Sequence, residues 1–259
     1  MAMTRDPHPP IWPYPRWIAH RGAGKLAPEN TLAAFKRGAS YGYRMFECDV
    51  KLSADGEAFL LHDAELARTT NGRGLAGALN WAELARLDAG AWHGAAFAGE
   101  PLLHLDALAA WLQAEGHAVN LEIKPTPGTE KLTGEVVARR VDQLWAGSEI
   151  KPLLSSFQPV ALAAAREAVP SLPRALLLTE WVPNAVALAL DLGCVALVVQ
   201  HAGLDAPRIT EGHQAGLRML TYTVNDADRA QALWAAGLDG LITDRVDLFD
   251  PRSEPGARG

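Results

Sequence analysis

Gly193-Cys194-Val195-Ala196-Leu197-Val198-Val199 is a glycine followed, after one residue, by a run of five apolar residues. The glycine closes a helix-period segment in the left-handed cap conformation, and the short apolar run that follows has the length and composition of a buried strand. The unit recurs: Gly42 precedes Met45-Phe46-Glu47, Gly116 precedes Val119-Asn120-Leu121, Gly216 precedes Met219-Leu220-Thr221 and Gly237 precedes Leu241-Ile242-Thr243. Each recurrence predicts a helix-to-strand connection. Leu105, Leu108, Ala109 and Leu112 keep the i, i+3, i+4, i+7 spacing of a helix with one face to bury, as do Leu32, Phe35 and Ala39 at i, i+3 and i+7. Candidate strands fall at 17–21, 45–51, 119–124, 153–157, 175–178, 195–200, 219–224 and 241–244. Eight strands alternating with helices predict an α/β fold, the (β/α)8 TIM barrel, with its site at the C-terminal strand ends. An open doubly wound sheet is the alternative.

Two features depart from a plain barrel. Residues 58–62 read as an extra strand, a hairpin partner for the 45–51 strand after the turn at Asp55-Gly56. Residues 63–101 then carry six glycines and little regular signal beyond 81–87, so they form a loop-rich insertion, too long for a simple connection and a candidate cap over the site. The barrel domain is placed at 17–249, between an N-terminal extension of 1–16 and a tail of 250–259. Composition is that of a soluble globular protein, 49% hydrophobic and 21% charged. A net charge of −6 argues against nucleic acid as a partner. No run approaches the roughly 20 apolar residues of a membrane span, so no membrane anchor is expected. The proline-rich start lacks the apolar core of a secretory signal, and Cys48 and Cys194 stand too far apart in sequence to suggest a disulfide framework. Together these place the protein in the cytoplasm.

The chemistry is announced by polar residues where buried strands should be apolar: His20-Arg21, Glu47-x-Asp49, His62-Asp63 and Glu122-x-Lys124. Alternation along a strand turns Glu47 and Asp49 one way and Phe46, Cys48 and Val50 the other. The same parity turns Asn120, Glu122 and Lys124 inward, with Val119, Leu121 and Ile123 outward. Singly, each carboxylate reads as one half of a salt bridge. Together, Glu47, Asp49 and Glu122 would repel one another without a cation, and an all-oxygen set suits a hard divalent ion, Mg2+ or Ca2+. His20 and His62 read as the acid–base pair, since imidazole titrates near neutrality. Arg21 and Lys124 read as the inward-facing cations of the cluster, able to hold an anionic phosphate.

These residues sit in segments that resemble the glycerophosphodiester phosphodiesterases: IAHRGAGKLAPENT (18–31), FECDVKLSADGEAFLLHD (46–63), LEIKP (121–125), SSF (155–157), TYTVN (221–225) and LITDR (241–245), in family order across nearly the whole chain. The insertion after His62 fits the subdomain typical of that family. The resemblance implies a TIM barrel that hydrolyses glycerophosphodiesters, such as glycerophosphocholine or glycerophosphoethanolamine, to sn-glycerol 3-phosphate and an alcohol with a divalent metal. It implies His20 and His62 as catalytic, Glu47, Asp49 and Glu122 as metal ligands, and Arg21 and Lys124 as phosphate contacts. Tyr222 stands where the family often has tryptophan and would provide an aromatic wall. His20 is expected to remove the proton of the nucleophile, water or the neighbouring glycerol hydroxyl, and His62 to protonate the departing alcohol, though the two roles could be exchanged. Asn30 or Thr31 is expected to cap the following helix, and Glu29 is a further candidate for the site. His93 and His104 match no motif and are expected at the surface. A phospholipase acting on lysolipids and a phosphate-binding protein without turnover are the other readings of the same residues.

Overall fold

The computed structural model describes residues 12–253; residues 1–11 of the expected extension and 254–259 of the expected tail lie outside the described residues. The eight parallel strands are β1 (Trp17–Ala19), β2 (Met45–Leu52), β4 (Ala118–Ile123), β5 (Leu153–Ser156), β6 (Arg174–Leu178), β7 (Ala196–Gln200), β8 (Arg218–Tyr222) and β9 (Gly240–Thr243). They pair in sequence order, and β1 closes the ring by pairing with both β9 and β2. The ninth strand, β3 (Ala58–Leu60), lies antiparallel on β2 with Val50 opposite Leu60, the hairpin expected from the sequence. A closed barrel replaces the open-sheet alternative.

All five of the glycines at the predicted helix ends have positive φ, from 66° at Gly193 to 94° at Gly237. The helices α1 (Leu32–Ser40), α3 (Leu105–Glu115), α4 (Glu130–Leu144), α5 (Pro159–Ala168), α6 (Ala185–Asp191), α7 (Ala206–Gln214) and α8 (Ala227–Ala235) run between the strands, and none among the described residues is long and apolar enough to cross a membrane. In α3 the predicted face of Leu105, Leu108, Ala109 and Leu112 is fully buried. Each of its leucines contributes about 1.5–3 kcal/mol by leaving water.

Strand parity sorts the core into two layers. Phe46, Cys48, Val50, Val119, Leu121 and Ile123 face the helices. Ile18, Met45, Leu153, Val198, Leu220 and Ile242 fill the barrel interior. Tyr14 joins this inner layer and its hydroxyl donates to the Lys151 carbonyl at 2.7 Å, so the chain just before β1 forms part of the barrel floor.

The segment between β3 and α3 has its own small core, in which Phe59 of β3 meets Leu66, Leu84 and Leu102. Its one α-helical turn, α2 (Trp81–Leu84), starts where the Glu83 carboxylate accepts from the Asn80 backbone N–H at 3.0 Å. The segment meets the mouth along the loop between β1 and α1 and the first turn of α1: Glu100 Oε1 accepts from the Ala33 N–H at 2.9 Å, and His93 Nε2 donates to the Lys25 carbonyl at 3.0 Å. Neither histidine expected at the surface is a surface residue. His93 is half-buried in this seam. His104 is half-buried too; it caps α3 by accepting from the Asp106 N–H at 3.2 Å, and its ring meets the Trp81 ring edge-on at 4.8 Å.

Candidate active site

The parallel register of β2 and β4 sets Glu47 beside Asn120 and Asp49 beside Glu122. All four side chains point into the mouth of the barrel, because their strand neighbours are committed to the helix layer. One carboxylate oxygen from each of Glu47, Asp49 and Glu122 lies within 4.8 Å of the others. Asp49 Oδ1 and Glu122 Oε1 are buried and accept no well-directed hydrogen bond; the Lys124 ammonium stands in ion-pair contact with them, at 3.5 and 2.7 Å. Burial first, then the charge of Asp49, pushes Glu47 up to about 7 and Glu122 up to about 8. Burial also opposes ionisation of Asp49, but Arg21 and Lys124 hold it well below the ordinary carboxylate range. Three crowded carboxylates that cannot all ionise, with oxygens lacking directed donors, fit a hard divalent cation.

The predicted β1 strand extends to Arg21, but β1 ends at Ala19 because the chain turns there: Arg21 has a φ of 49°. A non-glycine residue in this conformation is strained, and here the strain turns the guanidinium into the site. Arg21 Nε lies 3.3 Å from Asp49 Oδ2, and its Nη1 donates to Glu29 Oε1 at 2.8 Å. Thr31 is the cap of α1, accepting from the Ala34 N–H at 3.3 Å. Asn30, with a φ of 61°, instead grips Asp49: its Nδ2 donates to Oδ2 at 2.9 Å and its Oδ1 accepts from the Asp49 N–H at 3.2 Å.

Both histidines are oriented through Nδ1. His20 Nδ1 donates to Asp244 Oδ1 at 2.6 Å, and Asn225 fixes Asp244 by donating to its Oδ2 at 3.1 Å and accepting from its N–H at 2.9 Å. His62 Nδ1 donates to Asp63 Oδ1 at 2.7 Å. Each ring therefore presents Nε2 as the atom free to take or give a proton. His20 Nε2 is 3.7 Å from Glu47 Oε2. Burial works against the imidazolium of His20, but the Asp244 bond and the Glu47 charge outweigh it and raise its pKa. At His62 burial, helped by the charges of Arg21 and Lys124, prevails over Asp49 and Asp63 and lowers it.

On the far side of the mouth the Tyr222 ring meets Phe157 edge-on at 5.8 Å, and Lys124 Nζ sits 5.4 Å from the centre of the Phe157 ring. The Tyr222 hydroxyl is engaged with the Leu178 carbonyl at 3.1 Å, so this residue offers its ring. The four polar pairs of the sequence thus converge, but Arg21 and Lys124 are not the only cations turned inward. Lys51, fully buried, donates to the Lys124 carbonyl at 2.9 Å, and burial lowers its pKa to about 8. Strand parity alone would have found Lys51. Asp244 and Asn225 lie in motif segments without an assigned role, and Asp63 adjoins His62; their partnerships depend on the closed barrel.

Residues 20–248 match the sequence profile of the Glycerophosphoryl diester phosphodiesterase family. The chain belongs to this family. Among relatives of the glycerophosphodiester phosphodiesterases, it is similar to YhdW of Bacillus subtilis, with 34% identity over 90% of this chain and 95% of that one. It is also similar to the glycerophosphodiester phosphodiesterase of Caldanaerobacter subterraneus, with 32% identity over 88% and 93% of the two chains. Its barrel superposes on an Oleispira antarctica phosphodiesterase solved in complex with the product sn-glycerol 3-phosphate, with a TM-score of 0.85 and 33% identity over 89% of this chain and 93% of that one. Membership in the glycerophosphodiester phosphodiesterases makes the protein an enzyme, a phosphodiester hydrolase.

Proposed function

We propose that the protein hydrolyses soluble glycerophosphodiesters, such as glycerophosphocholine and glycerophosphoethanolamine, to sn-glycerol 3-phosphate and an alcohol. The carrying observation is the meeting of two imidazoles, each locked through Nδ1 by a carboxylate, with a half-buried arginine and three carboxylates at one barrel mouth. Glu47, Asp49 and Glu122 would hold Mg2+ or Ca2+. When bound, the ion supplies positive charge to the phosphate oxygens and to the charge that grows in the transition state.

Arg21 and Lys124 bind the phosphate and offset the repulsion it meets from the carboxylates. Arg21 is charged throughout the accessible pH range and has a directed fork, so it fixes the orientation of the phosphate. His20 Nε2, on the Glu47 side, removes the proton of the attacking hydroxyl, from water or the neighbouring glycerol hydroxyl; the latter route gives a cyclic phosphate, which water then opens to sn-glycerol 3-phosphate. His62 Nε2, on the insertion side, protonates the departing alcohol oxygen as its bond to phosphorus breaks. Tyr222 and Phe157 form an apolar wall against carbon atoms of the substrate. The barrel of 17–249 with its insertion at about 63–101 acts as one catalytic domain. Two buried free thiols, Cys48 and Cys194, support a reducing, cytoplasmic location.

The test is release of sn-glycerol 3-phosphate from glycerophosphocholine in EDTA and after adding back Mg2+ or Ca2+. Cation-dependent release supports the reading, and activity confined to lysophosphatidylcholine would replace it with a lysolipid phospholipase. Comparing His20→Ala and His62→Ala on natural and activated leaving groups tests the roles: the activated group restores activity to the variant that lacks the acid. Restoration of His20→Ala instead of His62→Ala would exchange the two assignments.

A further inference from the structure

The geometry points to Arg68, in the insertion, as a positioning residue for the reaction: one guanidinium holds Glu29 and Asp63 together and through them fixes Arg21 and His62. The inference rests on the roles proposed above for Arg21 and His62.

Arginine has five N–H donors in a rigid plane, enough to serve two carboxylates along two edges. Arg68 uses both. Its Nε and Nη2 donate to Asp63 Oδ2 and Oδ1 at 2.6 and 3.1 Å. Its Nη1 and Nη2 donate to Glu29 Oε2 and Oε1 at 2.7 and 2.8 Å. Each carboxylate also holds one working side chain: Asp63 Oδ1 accepts a hydrogen bond from His62 Nδ1, and Glu29 Oε1 accepts one from Arg21 Nη1. The result is a chain of alternating nitrogen donors and carboxylates, His62, Asp63, Arg68, Glu29, Arg21 and Asp49, that runs from the insertion to the carboxylate cluster.

Arg68 is 43% exposed, so its ion pairs add little to stability. Their consequence is geometric. Without Arg68, Glu29 is free to turn its second oxygen onto Arg21 and occupy the donors that a phosphate needs. Asp63 is free to rotate away from the plane in which it aims the His62 ring. The insertion thereby supplies a part of the mechanism as well as one side of the mouth.

The experiment compares kcat and KM for glycerophosphocholine, with cation present, in wild type, Arg68→Met, Arg68→Lys and Arg73→Met. Arg73 is exposed on the same insertion and makes no side-chain hydrogen bond or ion pair among the described residues, so its substitution controls for loss of one surface charge. Loss of a supporting contact of this kind lowers activity by about 10–100-fold. Arg68→Met is expected to fall in that range, with the larger part in kcat, while thermal unfolding stays near wild type and Arg73→Met stays within about twofold of wild type. Arg68→Lys, which keeps the charge but cannot span both carboxylates with two forks, is expected to recover part of the loss. It also carries the test if Arg68→Met does not fold, since it must then lie measurably below wild type. Wild-type kcat in either Arg68 variant overturns the inference, as does a loss in Arg68→Met matched by Arg73→Met. An inactive wild type would instead refute the proposed function, so the two failures are distinct.

Discussion

Gly24 offers a way to move His20 without touching it. Its φ is +57°, and a Cβ added there would fall 2.1 Å from the Asp244 carbonyl oxygen and 2.3 Å from the Asp244 Cα. Non-bonded heavy atoms settle at about 3.5 Å, so Gly24→Ala must drive the two backbones apart by about 1 Å or more. Asp244 cannot follow freely, because its N–H and carboxylate are both held by Asn225 while Oδ1 orients His20. A misplacement of about 1 Å in a catalytic group costs about 100-fold in rate. That is about 2.7 kcal/mol of lost transition-state stabilisation. The left-handed conformation adds about 1–2 kcal/mol of strain that appears as lost stability. Gly56→Ala separates the two effects, since Gly56 has a φ of +85° but nothing within 4 Å of the added Cβ. The assay is kcat for glycerophosphocholine at saturating cation, with thermal unfolding of both variants. Both should melt below wild type, and Gly24→Ala alone should lose roughly 100-fold in kcat. A folded Gly24→Ala with the turnover of Gly56→Ala would refute the reasoning that Asp244 controls the His20 ring.

Cation binding should release protons near neutrality, because Glu47 and Glu122, pushed up to about 7 and about 8, are partly protonated until a cation displaces the proton. Titration calorimetry in buffers of different ionisation enthalpy checks this; release should fade above about pH 9, and a buffer-independent heat at pH 7 would contradict it. Asn30→Ala removes the amide that grips Asp49 and should weaken cation binding by roughly 10–100-fold, read from the same titration. Asp63 is held down to about 2, chiefly by Arg68, so its contribution is complete above its unfolded value of 3.8 and lost as pH falls from there toward 2. Asp63→Asn should therefore flatten the fall in melting temperature across that window, though only slightly for so exposed a pair, and an unchanged acid limb would place the charge's effect elsewhere.

Much of the barrel is legible because one rule acts at each strand: a side chain faces the helices or the axis. Phe46, Cys48 and Val50 commit β2, and Glu47 and Asp49 follow by alternation. Positive φ at Gly42, Gly116, Gly193, Gly216 and Gly237 is similarly local, because each ends its helix whatever lies across the barrel. The unread parts are relations between distant segments. Asp244 holds His20 only because β9 lies beside β1, and Asn30 prefers Asp49 to a helix cap only because β2 delivers that carboxylate within reach. His93 and His104 escape a sequence reading because the insertion builds its small core without a steady period, leaving isolated polar residues without a face to belong to. The early end of β1 likewise comes from the strained Arg21, a conformation with no signature in residue type.

His20 and Asp244 are separated by 224 positions, and the strands that they directly follow seal the ring. The ribosome therefore supplies His20 long before Asp244. A nascent chain has its histidine without the partner that aims it until β9 and Asp244 have been made. The same arrangement makes any chain broken off before β9 unable to orient His20, a safeguard against active fragments that follows from where the ring is sealed.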